Sequence, residues 1–221
     1  MLFRTIFIII ALAMSALAVS AAESDQQVVT MDENLWVTFY DVPSRRFRDI
    51  RASFIRREFT QAAHDLETSS AYLSVEADRA LPAISKRLND VADRLLWIAE
   101  NTGDVSVTVT DLDALFSRAH WLLAQHYLDL AKRFRDSRQN RSAGLNLYAT
   151  THHLERAVLW SNSRITRDVH GTLENLRDLA SQLQDKKRAE AAYSKKPIIR
   201  AEKLLRKLGE TIDRPVLLPD E

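Results

Sequence analysis

The sequence predicts an all-α fold: an antiparallel bundle of four to five amphipathic helices in helical hairpins, with short extended or β segments near residues 35–42 and 104–110. Three observations predict it. Only four glycines and five prolines punctuate 221 residues, so few positions demand a turn. Leu, Ala, Arg and Asp dominate, which is a helical composition. Apolar residues recur at three- and four-residue spacing over long stretches, the period of a helix with one buried face.

Residues 1–22 read as a secretory signal, with Arg4 before the apolar run Ile6–Val19 and the small residues Ser20, Ala21 and Ala22 at its end. That run is shorter than the roughly 20 apolar residues of a membrane span. The expected product is periplasmic or secreted, cleaved near Ala22, and not an integral membrane protein. An N-terminal arm over 23–43 follows, in which Leu35–Pro43 alternates bulky β-formers.

The bundle domain is expected over 44–185. A first helix runs from Ser44 to about Arg57, with Phe47, Ile50, Phe54 and Ile55 near one face. From Phe59 to about Glu100 the apolar seam is Phe59, Ala62, Leu66, Leu73 and Ala77, then Ile84, Leu88, Val91, Leu95 and Ile98. Between the two halves stands Pro82, which lacks an amide hydrogen and predicts a kink or break. Gly103 supplies the stop. Val105, Val107 and Val109 alternate through Asp104–Thr110. Thr110–Asp113 has capping-box spacing and opens a helix to Phe134, whose seam is Leu112, Phe116, Ala119, Leu123, Leu130 and Phe134. A polar turn containing Gly144 leads to a helix from about Leu145, with Leu147, Thr151, Leu154, Val158 and Ile165 in line and Gly171 weakening its middle.

Residues 186–221 form a basic C-terminal helix and extended tail. Lys186–Lys207 holds nine basic and two acidic residues. Pro197 and Gly209 frame a helix with Ile198, Ala201, Leu205 and Leu208 on one side and Arg200, Lys203 and Lys207 on the other.

Composition excludes several chemistries. With no cysteine there are no disulfides, thiolate metal sites, thiol nucleophiles or covalent c-type haem. Lys and Arg number 31 against 30 Asp and Glu, a balance unlike that of a nucleic-acid binder. Nucleophile-elbow, zinc-protease and phosphate-loop motifs are missing, so a non-enzymatic protein without a cofactor is expected, with an uncharacterised enzyme as the third reading.

Two His-x-x-Glu segments, His64–Glu67 and His152–Glu155, raise the question of a metal site and hint at an internal duplication. Helical hairpins of tetratricopeptide type have a fixed period and a consensus glycine that this chain lacks, so no family is assigned. Helical phase turns His64 and His152 outward, away from Leu66 and Leu154. His126 sits on the flank of the Leu123–Leu130 seam and His120 on the other flank. These two are the weak metal candidates, and His126 is either a satisfied core histidine or the anchor of a bound metal, haem or small ligand. Trp121 and Leu128, with Tyr148, Leu159 and Trp160, form a second apolar side. It is covered by the arm through Trp36 and Phe39, or it meets a second copy (a homo-oligomer) or an envelope partner. Lys186, Lys187, Arg188, Lys195, Lys196, Arg200, Lys203, Arg206 and Lys207 are candidates for contact with an anionic surface. The function expected is an exported helical bundle that acts by binding, as an accessory, scaffold or stress-type factor of a bacterial envelope.

Overall fold

The structure, a computed structural model, describes residues 40–103, 106–185, 189 and 195–212. Among the described residues it is all helical: α1 (Val42–Ile55), α2 (Phe59–Arg79), α3 (Pro82–Glu100), α4 (Val109–Asp136), α5 (Asn140–Trp160), α6 (Arg167–Gln184) and α7 (Lys196–Ile212). These seven helices replace the four to five expected, and no helix among the described residues is long and apolar enough to cross a membrane.

The break at Pro82 is sharp. Ala80 and Leu81 are extended, as the residue before a proline prefers, and Pro82 opens α3 at its first turn. Two other joints carry no such marker. At Arg56–Arg57–Glu58 and again at Ser137–Arg138–Gln139 the middle residue is left-handed, with φ 60°. In both, the third residue's amide donates to the carbonyl five positions back, Glu58 to Ser53 and Gln139 to Phe134, each at 2.8 Å. This cap satisfies carbonyls that a helix end leaves open. Helix α5 stops in the same way at Asn162, φ 56°, with Ser163 donating to Val158. The long helix expected through Ile165 therefore ends at Trp160, and Ile165 is exposed in the link to α6.

The expected extended segments are corrected too. Residues 35–39 lie outside the described residues, and 40–42 already belong to helical turns. Residues 104–105 also lie outside them, and the rest of 104–110 is a turn and the start of α4. The period-two pattern there has a local cause: Val107 is buried in the core and Thr108 is the extended N-cap. The capping box is Thr108 with Asp111, two residues earlier than Thr110 with Asp113.

The matched turns expose a duplication. Setting Arg57 on Arg138 pairs Ala62 with Ala143, Asp65 with Asn146, Leu66 with Leu147, Ser69 with Thr150, Ser70 with Thr151 and Leu73 with Leu154, and every one of these is buried. The core seam of α3 likewise matches that of α6: Ile84 with Val169, Leu88 with Leu173, Val91 with Leu176 and Ile98 with Leu183. Helices α2 and α5, and helices α3 and α6, thus share a buried pattern, which marks α1–α3 and α4–α6 as two similar three-helix units. Helix α4 packs on α1 and α3, and α7 packs on α4 and α6, so α7 stands where a third unit would begin. The His-x-x-Glu segments do not share this register, since His64 falls opposite Leu145.

One core runs through all seven helices, from Phe47 and Ile50 in α1 to Ile198, Ala201, Leu204 and Leu205 in α7. The C-terminal helix is therefore docked by its apolar face, each such side chain contributing about 1.5–3 kcal/mol where fully buried. The first helix ends less buried than its periodicity predicts, with Ile55 exposed.

Candidate functional site

The central helix of each unit carries two buried stripes. In α5 the apolar seam Leu147, Thr151, Leu154 and Val158 runs beside Asn146, Thr150, His153 and Ala157, spaced four, three, four. In α2 the matching positions are Asp65, Ser69, Tyr72 and Glu76. Hydroxyls in this second stripe satisfy themselves locally: Ser69 donates to the Asp65 carbonyl and Thr150 to the Asn146 carbonyl, both at 2.8 Å. Ser117 of α4 donates to the Ala157 carbonyl at 2.8 Å, tying α4 to this face of α5.

His120 of α4 and His153 of α5 meet on this face, both fully buried, with their Nδ1 atoms 2.9 Å apart. One ring donates its Nδ1–H to the lone pair of the other, so the pair needs neutral imidazoles in opposite tautomers. Burial drives both far below the usual histidine range, and the neighbouring His152 and Arg156 push the same way. Phe47 packs edge-on against His120, and Tyr127 stacks on His153 with ring centroids 5.3 Å apart. The Tyr127 hydroxyl lies 3.3 Å from that of Tyr72, the α2 counterpart of His153. Both phenols are held protonated, Tyr127 well above its ordinary value by burial and then by Tyr72, and Tyr72 by burial and then by Glu76.

Glu76 is fully buried and receives a hydrogen bond from Arg79 at 3.0 Å. Its second oxygen lies 3.1 Å from His126 Nε2, close enough for an ionic contact but misaligned for a hydrogen bond. Among the described residues His126 Nδ1 has no hydrogen-bond partner, and neither do His120 Nε2 and His153 Nε2. His126 is thus a core histidine facing a carboxylate on another helix. It does not meet His120, and each pairs across a different helix contact. Among the described residues no group of three His, Asp or Glu side chains converges to hold a metal ion.

His64 is exposed, as its phase predicts. His152 is half-buried instead of free, its Nε2 reaching Ser44 Oγ at 2.6 Å and Asp41 at 3.0 Å at the start of α1. Burial lowers its pKa, partly opposed by Asp41. Sequence reasoning missed His153, Tyr72, Tyr127 and Glu76. The signal for His153 was available: Asn146, Thr150, His153 and Ala157 make a second helical stripe, hidden because half of it is polar.

The expected second apolar side is largely closed. Trp121 and Leu128 are buried beneath α7: Trp121 Nε1 donates to the Leu205 carbonyl at 2.8 Å, and a Cβ on Gly209 would come within 2.5 Å of the indole. The cover over α4 is thus the C-terminal helix; Trp36 and Phe39 lie outside the described residues. Tyr148 and Trp160 are partly buried against the core, and Leu159 is exposed.

Lys186, Lys187 and Arg188 lie outside the described residues, while Lys195, Lys196, Arg200, Lys203, Arg206 and Lys207 are exposed on or beside α7. Arg200, Lys203 and Lys207 join Arg167 of α6 around a cleft of about 460 Å³ between the two helices. No family model, curated protein or solved structure matches the chain.

Proposed function

We propose that this chain is an exported helical-bundle protein that acts by binding, as an accessory or scaffold factor of a bacterial cell envelope. The observation that carries this reading is the burial of three imidazoles in the core. His120, His126 and His153 are fully buried, and the first and last spend a nitrogen on each other. A catalytic or ligating imidazole has to reach its substrate or metal, and these three reach the interior of the fold. The clefts that do open on the surface are lined by charged, amide and apolar side chains and hold no histidine. Export rests on the N-terminal sequence, Arg4 followed by Ile6–Val19 and Ser20–Ala22.

A rival reading, a metal, haem or small ligand held through His126, draws on its unpartnered Nδ1 and on the free Nε2 atoms of His120 and His153. One preparation tests both. Protein purified from the envelope fraction of its native cell is weighed intact and analysed for metals and visible absorption. The expected result is a chain that starts near Glu23, with substoichiometric metal and no chromophore. Stoichiometric metal or a chromophore, lost on changing His126→Ala, overturns the proposal, and so does a chain retained full-length in the cytoplasm.

A further inference from the structure

We propose that the cleft between α6 and α7 binds a phosphate-bearing ligand; this names a ligand class for the binding role above and rests on it. Four cations converge there from two helices, Arg167 from the first turn of α6 and Arg200, Lys203 and Lys207 from one stripe of α7, against a single carboxylate, Asp168. None of the four has an ion-pair partner among the described residues. Several other cations of the bundle are neutralised, Arg46 on Asp65, Arg51 on Asp113, Arg177 on Glu155 and Lys132 on Glu202. A doubly charged group with several acceptor oxygens matches two guanidinium forks and two ammonium groups better than a lone carboxylate does. Leu204 lines the cleft among these cations, and Asn175, whose amide gives one hydrogen to the Gly171 carbonyl, keeps another to donate.

The seam match between α3 and α6 shows what stands at the equivalent places of α3. Gly171 and Thr172 of α6 occupy the places of Lys86 and Arg87 in α3. In α3, Arg87 lies over the Trp121 ring of α4 at 4.4 Å. At Gly171, a Cβ would meet nothing within 4 Å, so this edge of the cleft is open.

Gly171 also gives the cleanest test. Gly171→Glu adds a helix-favouring residue into empty space and puts a carboxylate in the cleft, so the fold is kept while the site is blocked. Titration of the full mature protein with pyrophosphate at low ionic strength is expected to show one site, weakened at least tenfold by Gly171→Glu and by Lys203→Ala with Lys207→Ala. Vesicles of phosphatidylglycerol in phosphatidylcholine, against phosphatidylcholine alone, separate the sources. Sedimentation with the anionic vesicles, displaced by pyrophosphate, assigns a lipid headgroup; pyrophosphate binding without sedimentation assigns a soluble phosphate ester. No binding of either probe at low salt overturns the inference, because unpaired cations respond most where screening is weakest. Binding that Gly171→Glu leaves unchanged overturns it as well. Either failure leaves the metal and export results untouched, so the two proposals fail separately.

Discussion

Helices α2 and α5 occupy the same place in two successive units and bury stripes of the same spacing, yet fill them with opposite chemistry. Asp65 and Glu76 make the α2 stripe charged, and arginines at its rim answer them: Arg46 reaches Asp65 at 2.6 Å and Arg79 reaches Glu76 at 3.0 Å. Asn146, Thr150, His153 and Ala157 make the α5 stripe neutral, and it closes on His120 with no countercharge. Helical spacing dictates which positions are buried. It leaves open whether they are satisfied by ion pairs, which draw on solvent-exposed partners, or by neutral hydrogen bonds, which depend on protonation state.

The largest effect is expected from His153→Ala. It removes a buried ring stacked on Tyr127 and strands His120 Nδ1, a loss of about 3–4 kcal/mol in urea unfolding. Tyr72→Ala, at the equivalent but only half-buried position, should cost less; equal losses would break the comparison.

Acid comes next. The folded pKa values of His120 and His153 are depressed, so below the unfolded value of about 6.5 the unfolded chain binds more protons. Their contribution is full above that pH and is lost as pH falls towards the depressed folded values, at about 1.4 kcal/mol per pH unit for each proton. Unfolding midpoints between pH 7.5 and 5 measure it, and replacing both histidines by Leu should flatten that slope.

Gly209→Ala pushes a methyl into the Trp121 ring and should cost about 1–3 kcal/mol, with a change in indole fluorescence as α7 shifts. Smallest is His64→Ala, within about 0.5 kcal/mol because the side chain is exposed. His152→Ala, which loses Ser44 and Asp41, should exceed it by about 1 kcal/mol, although both histidines begin a His-x-x-Glu segment.

Much of the helical architecture was legible because apolar seams repeat at helical spacing: Ile84, Leu88, Val91, Leu95 and Ile98 are all buried as their phase requires. Helix ends were legible at Pro82, where the marker is covalent, and near Phe59, Glu100 and Phe134, where the apolar seam stops, but not at Trp160. At Arg57, Arg138 and Asn162 ordinary residues adopt left-handed turns, which tertiary packing selects and local sequence does not advertise. The duplication was hidden for a related reason. Its register is carried by turn geometry and by small or polar buried residues such as Ser69 and Thr150, while the conspicuous histidine segments suggested another. Of the buried site, His120 and His126 were visible from their place beside the α4 seam. Their partners His153 and Glu76 lie on other helices, and pairing across helices is not readable from one-dimensional phase.

A core that holds the fold and a cleft that binds are separate parts of the molecule. Melting temperature and pyrophosphate affinity, measured together for the native chain, His153→Ala and Gly171→Glu, test that separation most directly. The account predicts that His153→Ala lowers the melting temperature and, well below it, binds as the native chain does, while Gly171→Glu melts normally and loses at least tenfold in affinity. A His153→Ala protein that keeps its stability and loses the ligand would contradict it.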